Sequence, residues 1–596
     1  MKKKNIAKKK SDIQSRSLTV KKRAIDENLG GLKKRQLFLK SPSDWYHFAT
    51  ANFLGVFGGL AFGIQMWRTS FVLTTPSDPL QYVQPSLSPQ NGFEFLDRTL
   101  LWLTLRLFST FPFPREMVGP IATLSIVCLL IYIVAFWLAY RINYVSSGIF
   151  IGLAFINPFY ISISTYTYPT QLMTLVIITT LILVIESRSF LLGGAGTLLA
   201  ILSKVQGIAL GITLFVFAFD RTSDSSFLRK IRSLVFGFLG ASILIFSILI
   251  ASDGFESTWR WIYKYFTGGT ASTQFSGQNI KGVPDFMQYK YEPIALIAIL
   301  GSLAGAFTLK QGQRIFAFAA ISQTLFLILI YAISQRGGPL IHNYSFDALS
   351  LGLISFSILV GGLLSIRRTR SDLFLSLFIS FICLFWTILE GNRSVAIAQI
   401  VIGQMFSNSS NLAFFGGFFF LLALFLYHSS NKDKVRSRSV QSSKNRLLII
   451  RLLTILSLGL LIVASCKNVE RGYSDSRFKR EESLQYHNLG KLIRAYDGTI
   501  CVDVKLGRPT NEDAGPRLRG IYITFYNSNP RNHLFINGLD SNGESLQGAC
   551  DYFITDNDES KLLSSFDITL DGQSIAVITS RGEIVSYIDL PLVRVS

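Results

Sequence analysis

Charged residues are scarce in this chain. Only 16% of its 596 residues are Asp, Glu, Lys or Arg, where a soluble globular chain carries about a quarter. The charge is missing from long apolar blocks instead of being thinned evenly. Histidine and cysteine are rarer still, at five each. The histidines are scattered, which argues against a His-rich metal site, and no cysteines pair as CxxC. There is no phosphate-binding loop ending in Gly-Lys-Ser/Thr, no HExxH and no GxSxG, so the soluble enzyme classes those motifs mark are excluded.

What fills the gaps is hydrophobic. Val118–Tyr140, Leu234–Ala251 and Leu447–Ser465 are each long enough, or nearly so, to cross a hydrocarbon core of roughly 30 Å as a helix of about 20 residues. Backbone polar groups in lipid must be satisfied within the segment, so such blocks are helices; a barrel would show short alternating segments. The sequence predicts an all-α polytopic membrane protein of about 13 spans. They lie near 47–67, 118–140, 145–163, 168–186, 188–203, 205–220, 232–251, 291–309, 314–334, 346–365, 372–390, 411–428 and 447–465. Residues 1–46 read as a basic disordered tail, 47–465 as the membrane domain, and 466–596 as a small soluble α/β or α+β domain.

The net charge of +21 invites a nucleic-acid reading, but no recognisable binding module accompanies it. Its distribution points to topology. The first 40 residues, Arg221 with Arg229, Lys230 and Arg232, the group Arg367, Arg368 and Arg370, and the run Lys432 to Arg446 all fall on one side when spans are counted from a cytoplasmic N-terminus. Residues 467–596 carry 15 Lys/Arg against 18 Asp/Glu and fall on the other side. The expected location is a plasma (inner) membrane, with the N-terminus cytoplasmic and the C-terminal domain outside. The outer loops 68–117 and 252–290 are long enough to hold structure. Asp97–Phe111 reads as a helix in the interface, and Trp259, Trp261, Tyr263 and Tyr265 as an interfacial aromatic belt.

In the C-terminal part, Thr499–Val504, Gly520–Phe525 and Ile575–Thr579 read as strands after a helix at Glu481–Tyr496. Cys501 and Cys550 are the only cysteines there, in a compartment expected to be oxidising, which makes them a candidate disulfide. Gly193, Gly194 and Gly196 sit inside a span, where small residues mark close helix packing.

The groups able to carry chemistry are charges at membrane depth or just outside it. They are Asp78 and Tyr82 in the first outer loop, Asp97 and Arg98 opening the interfacial helix, Lys204 ending a short span, and Arg336, His342 and Asn343 before a late span. Each has a plainer reading, as a solvated loop acid or a snorkelling lysine. Together they place carboxylates and cations around one outer-leaflet cavity, where ionisable groups are functional candidates by default.

With these residues the sequence resembles the GT-C glycosyltransferases, in the branch of protein O-mannosyltransferases and the lipid A aminoarabinose transferase. The likeness covers roughly residues 47–365. It rests on the acid after the first span, the stretch Ile156-Asn157-Pro158-Phe159-Tyr160 to Tyr168-Pro169-Thr170, the helix GGAGTLLAILSK, and Ile341-His342-Asn343-Tyr344. The chain departs from that branch in having the single acid Asp78 between Ser77 and Pro79, and Phe95-Leu96-Asp97-Arg98 in place of His-Pro-Pro. The resemblance implies a polyprenyl-phosphate-linked sugar as donor and a protein, lipid or glycan acceptor. It further implies Asp78 as base in an inverting single displacement, and Lys204, assisted by Arg98 or Arg336, on the leaving phosphate. A divalent cation stays open; no metal ligands are assigned. A transporter or flippase of a lipid-linked sugar is the alternative, although no internal repeat supports it. An O-antigen ligase or polymerase type of enzyme and a structural or receptor role are the weaker ones.

Overall fold

The computed structural model describes residues 42–69, 99–113, 117–165, 167–219, 226–253, 256, 259, 293–310, 312–333, 346–365, 369–388, 409–433, 445–466, 469, 490–491, 493–503, 531–536, 550–555, 574–579 and 583–589. The helices are α1 (Pro42–Thr69), α2 (Thr99–Ser109), α3 (Val118–Trp137), α4 (Tyr144–Phe155), α5 (Pro158–Ile163), α6 (Pro169–Ser187) and α7 (Phe190–Ser203). They continue as α8 (Ile208–Ala218), α9 (Phe227–Asp253), α10 (Pro293–Thr308), α11 (Arg314–Ile333), α12 (Phe346–Leu364), α13 (Arg370–Ile388) and α14 (Ser409–Asp433), and α15 (Asn445–Cys466). Among the described residues eight helices are long and apolar enough to cross a membrane, namely α1, α3, α6, α9, α12, α13, α14 and α15. Shorter apolar helices, α4, α7, α8, α10 and the start of α11, occupy the remaining expected spans.

One expected span is divided. The sequence predicts a helix across 145–163, but α4 stops at Phe155 and α5 starts afresh at Pro158. The Asn157 side chain accepts from the backbone N–H groups of Phe159 and Tyr160, and Pro158 takes the first helical position. Asn followed by Pro is a start signal, because Pro needs no N–H partner there and Asn supplies one to its neighbours.

Most of the bundle core is a single apolar cluster drawn from α1, α3, α4, α6, α10 and α12. α12 lies deepest: 89% of its most apolar stretch is buried, against 6% for α9. The apolar outer faces of α9 and α13 are exposed, as expected of helices whose solvent is lipid. Close approach depends on small residues. Gly55, Gly59 and Gly63 recur every fourth residue of α1, and a Cβ there would come within 2.9 Å of Tyr132, the Cys128 carbonyl and the Cys128 sulfur of α3 respectively. α7 and α9 meet at two glycines, Gly194 against the Leu234 carbonyl and Gly237 against the Leu191 carbonyl.

Side-chain contacts define two ends of the bundle. At one, Arg141 pairs with Glu186, and the Trp137 indole donates to Glu186 at 2.9 Å. Lys230 donates to the Ala218 carbonyl at 3.2 Å and Arg314 to the Phe307 carbonyl at 3.2 Å. These cations complement helix C-termini, whose last carbonyls lack intrahelical partners. The other end is formed by the starts of α3, α6 and α12 and the finish of α7.

Helix α2 lies within the segment expected to form an interfacial helix. Leu101 and Leu105 are buried, while Leu103 and Leu107 are exposed, and Leu100 packs beside Leu198 and Leu202 of α7. Of the expected belt, Trp259 is exposed; Trp261, Tyr263 and Tyr265 lie outside the described residues.

Toward the C-terminus stands a five-stranded mixed sheet: β1 (Gly498–Asp503), β2 (Asn532–Ile536), β3 (Tyr552–Thr555), β4 (Ser574–Thr579) and β5 (Ile584–Asp589). The order is β2-β1-β3-β4-β5. β1 pairs in parallel with β2 and β3, and β3-β4-β5 run antiparallel. The β1 segment expected at 499–504 starts one residue earlier, and the one at 575–579 also starts one residue earlier. Gly520–Phe525, and Glu481–Tyr496 up to residue 489, lie outside the described residues. Cys501 of β1 and Cys550, just before β3, are disulfide-bonded with a Cα–Cα distance of 5.9 Å.

Candidate functional site

Lys204 stands where helix α7 breaks. Its N–H still bonds the Ala200 carbonyl at 3.0 Å, but its own backbone is extended, with φ −164° and ψ 141°. Val205–Gly207 then make one 3₁₀ turn before α8. Gly207 permits the break: a Cβ there would collide with the backbone of Ala200 and Ile201. The turn can therefore fold tightly against the helix it follows. Irregular backbone at membrane depth is tolerated where protein buries it or it lines a cavity, and here it carries a cation.

The side chain of Lys204 is 8% exposed, and its ammonium donates to Thr170 Oγ1 at 3.0 Å. Thr170 lies in the first turn of α6, opened by Pro169. A buried ammonium is expensive unless paired and hydrogen-bonded, and an acid whose charge it influences is Asp347. That acid sits in the first turn of α12, is 2% exposed, and experiences the charge of Lys204 together with the backbone N–H of Ala348. The two N-terminal turns contribute positive helix-dipole ends to the same region.

A polar shell continues from there. Ser350, three residues after Asp347, shares a 2.7 Å hydrogen bond with the Tyr160 hydroxyl of α5. Gln171 donates to the Ile163 carbonyl at 3.0 Å. Thr123 near the start of α3 donates to Thr167 at 3.2 Å. Asn157 is fully buried, and among the described residues its Nδ2 has no hydrogen-bond partner; nor has Oε1 of buried Gln206. Buried polar atoms are normally satisfied, so these two are free to meet a ligand or water.

Of the residues singled out from sequence, Lys204 is placed in this cluster. Asp78, Tyr82, Asp97, Arg98, Arg336, His342 and Asn343 lie outside the described residues. Asp347 is the functional candidate that the sequence reading passed over. Its signal was present: a lone acid inside the apolar run Phe346–Leu364, which at membrane depth is a site hypothesis in itself. Among the described residues no three His, Cys, Asp or Glu side chains group closely enough to hold a metal ion.

No protein-family model matches the chain, and no curated protein matches it by sequence. Solved structures are similar to it. ArnT from Cupriavidus metallidurans bound to undecaprenyl phosphate aligns at 13% identity over 91% of this chain and 98% of its own, with a TM-score of 0.46. The apo form aligns at 12% identity over 85% and 92%, with a TM-score of 0.44. The arabinosyltransferase EmbB from Mycobacterium smegmatis aligns at 10% identity over 76% of this chain and 44% of its own, with a TM-score of 0.36.

Proposed function

We propose that the chain is a membrane glycosyltransferase that takes a sugar from a polyprenyl-phosphate carrier and attaches it to an acceptor hydroxyl on the extracytoplasmic face. The observation that carries this reading is the buried ammonium of Lys204, held by Thr170 among apolar helices. An anion that meets a cation there must arrive on an apolar carrier, and a lipid-linked phosphate is such an anion. In the transfer, an acceptor oxygen forms its bond to the anomeric carbon as the bond from that carbon to the phosphate oxygen breaks. The electron pair stays on the phosphate, where Lys204 and the dipoles at the starts of α6 and α12 stabilise it. Asp78 is the proposed base for the acceptor proton, and one such displacement inverts the anomeric centre. Arg98 and Arg336 are proposed to assist at the phosphate.

Charge supports the choice of face. Arg141, Arg188, Lys230, Lys310 and Arg314 mark the helix ends opposite Lys204, and basic ends are retained in the cytoplasm. The Cys501–Cys550 disulfide fits an oxidising compartment for the sheet. Buried charged groups at membrane depth also suit a carrier that moves the lipid-linked sugar across the membrane, so the test separates chemistry from movement.

The test reconstitutes purified protein in liposomes with a radiolabelled polyprenyl-phosphate sugar and a solubilised membrane fraction as acceptor source. Wild type is expected to transfer label and release the carrier phosphate, and Lys204→Ala to lose about 10²-fold or more in rate, the scale for one lost charge-stabilising donor. Flipping of the labelled lipid without transfer would replace this reading with the transporter.

A further inference from the structure

At the end of the bundle opposite Lys204, cations from three helix ends gather around one acid. Helix α3 runs on into a π turn, Leu138–Ile142, a form that inserts an extra residue and is frequent at functional positions. This turn carries Arg141, which pairs with Glu186 near the end of α6. Glu186 also accepts from the Trp137 indole at 2.9 Å. The turn between α10 and α11 closes on the same place. A Cβ at Gly312 would lie 3.9 Å from Ile185 of α6, and the rings of Trp137 and Phe316 are 5.2 Å apart. Lys310 and Arg314 flank that turn, and Arg188 directly follows α6. With Glu186 taken up by Arg141, these three cations have no acid partner among the described residues.

Arg188 is the most telling of them. Its φ of 56° lies in the left-handed region, and among the described residues no other non-glycine does so. A helix end of this kind ordinarily takes glycine, which has no Cβ to strain. Arg188 and Lys310 are exposed. Arg314 bonds the Leu309 and Phe307 carbonyls, which leaves further donors on its fork of five.

We propose that this junction binds the phosphate headgroup of an anionic phospholipid in the leaflet that meets it. Phosphate oxygens accept charge-assisted bonds from guanidinium and ammonium groups, and basic pockets between helices bind anionic headgroups. A lone cation near a membrane gives only diffuse attraction, whereas here the packing of α3, α6 and the α10–α11 turn brings several to one place. The ligand is a lipid and not free phosphate because the helix surface just below is apolar and open. Leu183 and Phe307, about one turn inward from Arg188 and Lys310, are exposed. Acyl chains can lie along them while the headgroup meets the cations. The bound lipid then ties α6 to the α10–α11 turn, whatever reaction the opposite end performs.

The experiment titrates detergent-purified protein with phosphatidylglycerol, or with phosphatidylcholine of the same acyl chains, and counts bound lipid by native mass spectrometry. Wild type is expected to bind phosphatidylglycerol about tenfold more tightly or better. Arg188→Gly/Lys310→Gln should lose about 25-fold in that affinity, at roughly fivefold per cation near the headgroups, with phosphatidylcholine binding unchanged. Glycine suits the backbone at 188, so the variant keeps its fold, which size-exclusion chromatography checks. Lys310→Gln alone, about fivefold weaker, decides the matter if it does not. Arg370→Gln/Arg446→Gln, which removes exposed cations on α13 and α15, should keep wild-type affinity. Equal binding of the two lipids by wild type overturns the inference. So does an Arg188→Gly/Lys310→Gln protein with wild-type affinity, or an equal loss in both double variants, which would mean diffuse charge and no site. Displacement of the lipid by excess inorganic phosphate overturns the choice of a lipid as ligand.

Discussion

Removing one member of the Lys204–Asp347 pair should harm the protein more than removing both. Lys204 is 8% and Asp347 2% exposed, so solvent screens their interaction little. Lys204→Met takes a cation away from a buried carboxylate, and Asp347→Asn takes a carboxylate away from the surroundings of a buried ammonium that keeps its bond to Thr170. Breaking a buried pair on one side costs about 3–5 kcal/mol, whereas replacing both members with neutral groups is often close to neutral. The double variant Lys204→Met/Asp347→Asn should therefore be more stable than either single variant, with a coupling of about 3 kcal/mol. The assay is equilibrium unfolding of purified protein in mixed micelles, followed by tryptophan fluorescence. A double variant as unstable as the sum of the singles would show that the two charges do not sense each other, and would remove the basis for treating them as one unit.

Three further outcomes are expected. Reducing the Cys501–Cys550 disulfide, which closes a sequence separation of 49, should destabilise the sheet by about 4 kcal/mol on the chain-entropy scale; limited proteolysis with and without reductant should show sheet fragments appearing while the helical bundle persists. Gly237→Leu should disrupt the α7–α9 packing, because the new side chain would occupy the position of the Leu191 carbonyl, at a cost of about 3 kcal/mol or more; yield of folded, monodisperse protein reads this, and Gly240→Leu, where nothing lies within 4 Å, is the control. With a membrane-impermeant maleimide, Glu583→Cys should label in intact cells and Arg188→Cys only after permeabilisation; the reverse pattern would invert the topology.

The spans were legible where apolar composition is uniform. The runs beginning at Val118 and ending at Ser465 need only length and the absence of charge to be recognised as helices. The break at Asn157-Pro158 was missed, since a continuous helix was expected across 145–163; its Asn-Pro start signal is local, and overall hydropathy smooths over it. Lys204 was readable as an unusual charge at the end of a span, but not its burial, because Thr170 and Asp347 come to it from helices distant in sequence. Asp347 itself was hidden by position: an acid in the first turn of a helix reads as an ordinary N-terminal residue until packing shows no water around it. In the sheet, strand positions were recovered for β1 and β4 from β-branched runs between turn residues. The order β2-β1-β3 was not readable, because parallel pairing leaves no mark in local sequence.

The lengths of α6 and α7 fix how deep the cation lies. Arg188, in the two-residue link between them, is taken as one membrane boundary. Rising from it, the 14 residues of α7 bring the Lys204 backbone about 21 Å up, while Thr170, 17 residues from Ser187 along α6, stands about 26 Å up. The lysine stem spans the difference, so the ammonium rests only a few ångströms below the far edge of a core about 30 Å thick. At that depth a headgroup need only dip slightly to reach it. On the proposed function, the carrier keeps its isoprenoid tail dissolved in its own leaflet throughout, and docking becomes a lateral glide within the bilayer instead of an extraction from it.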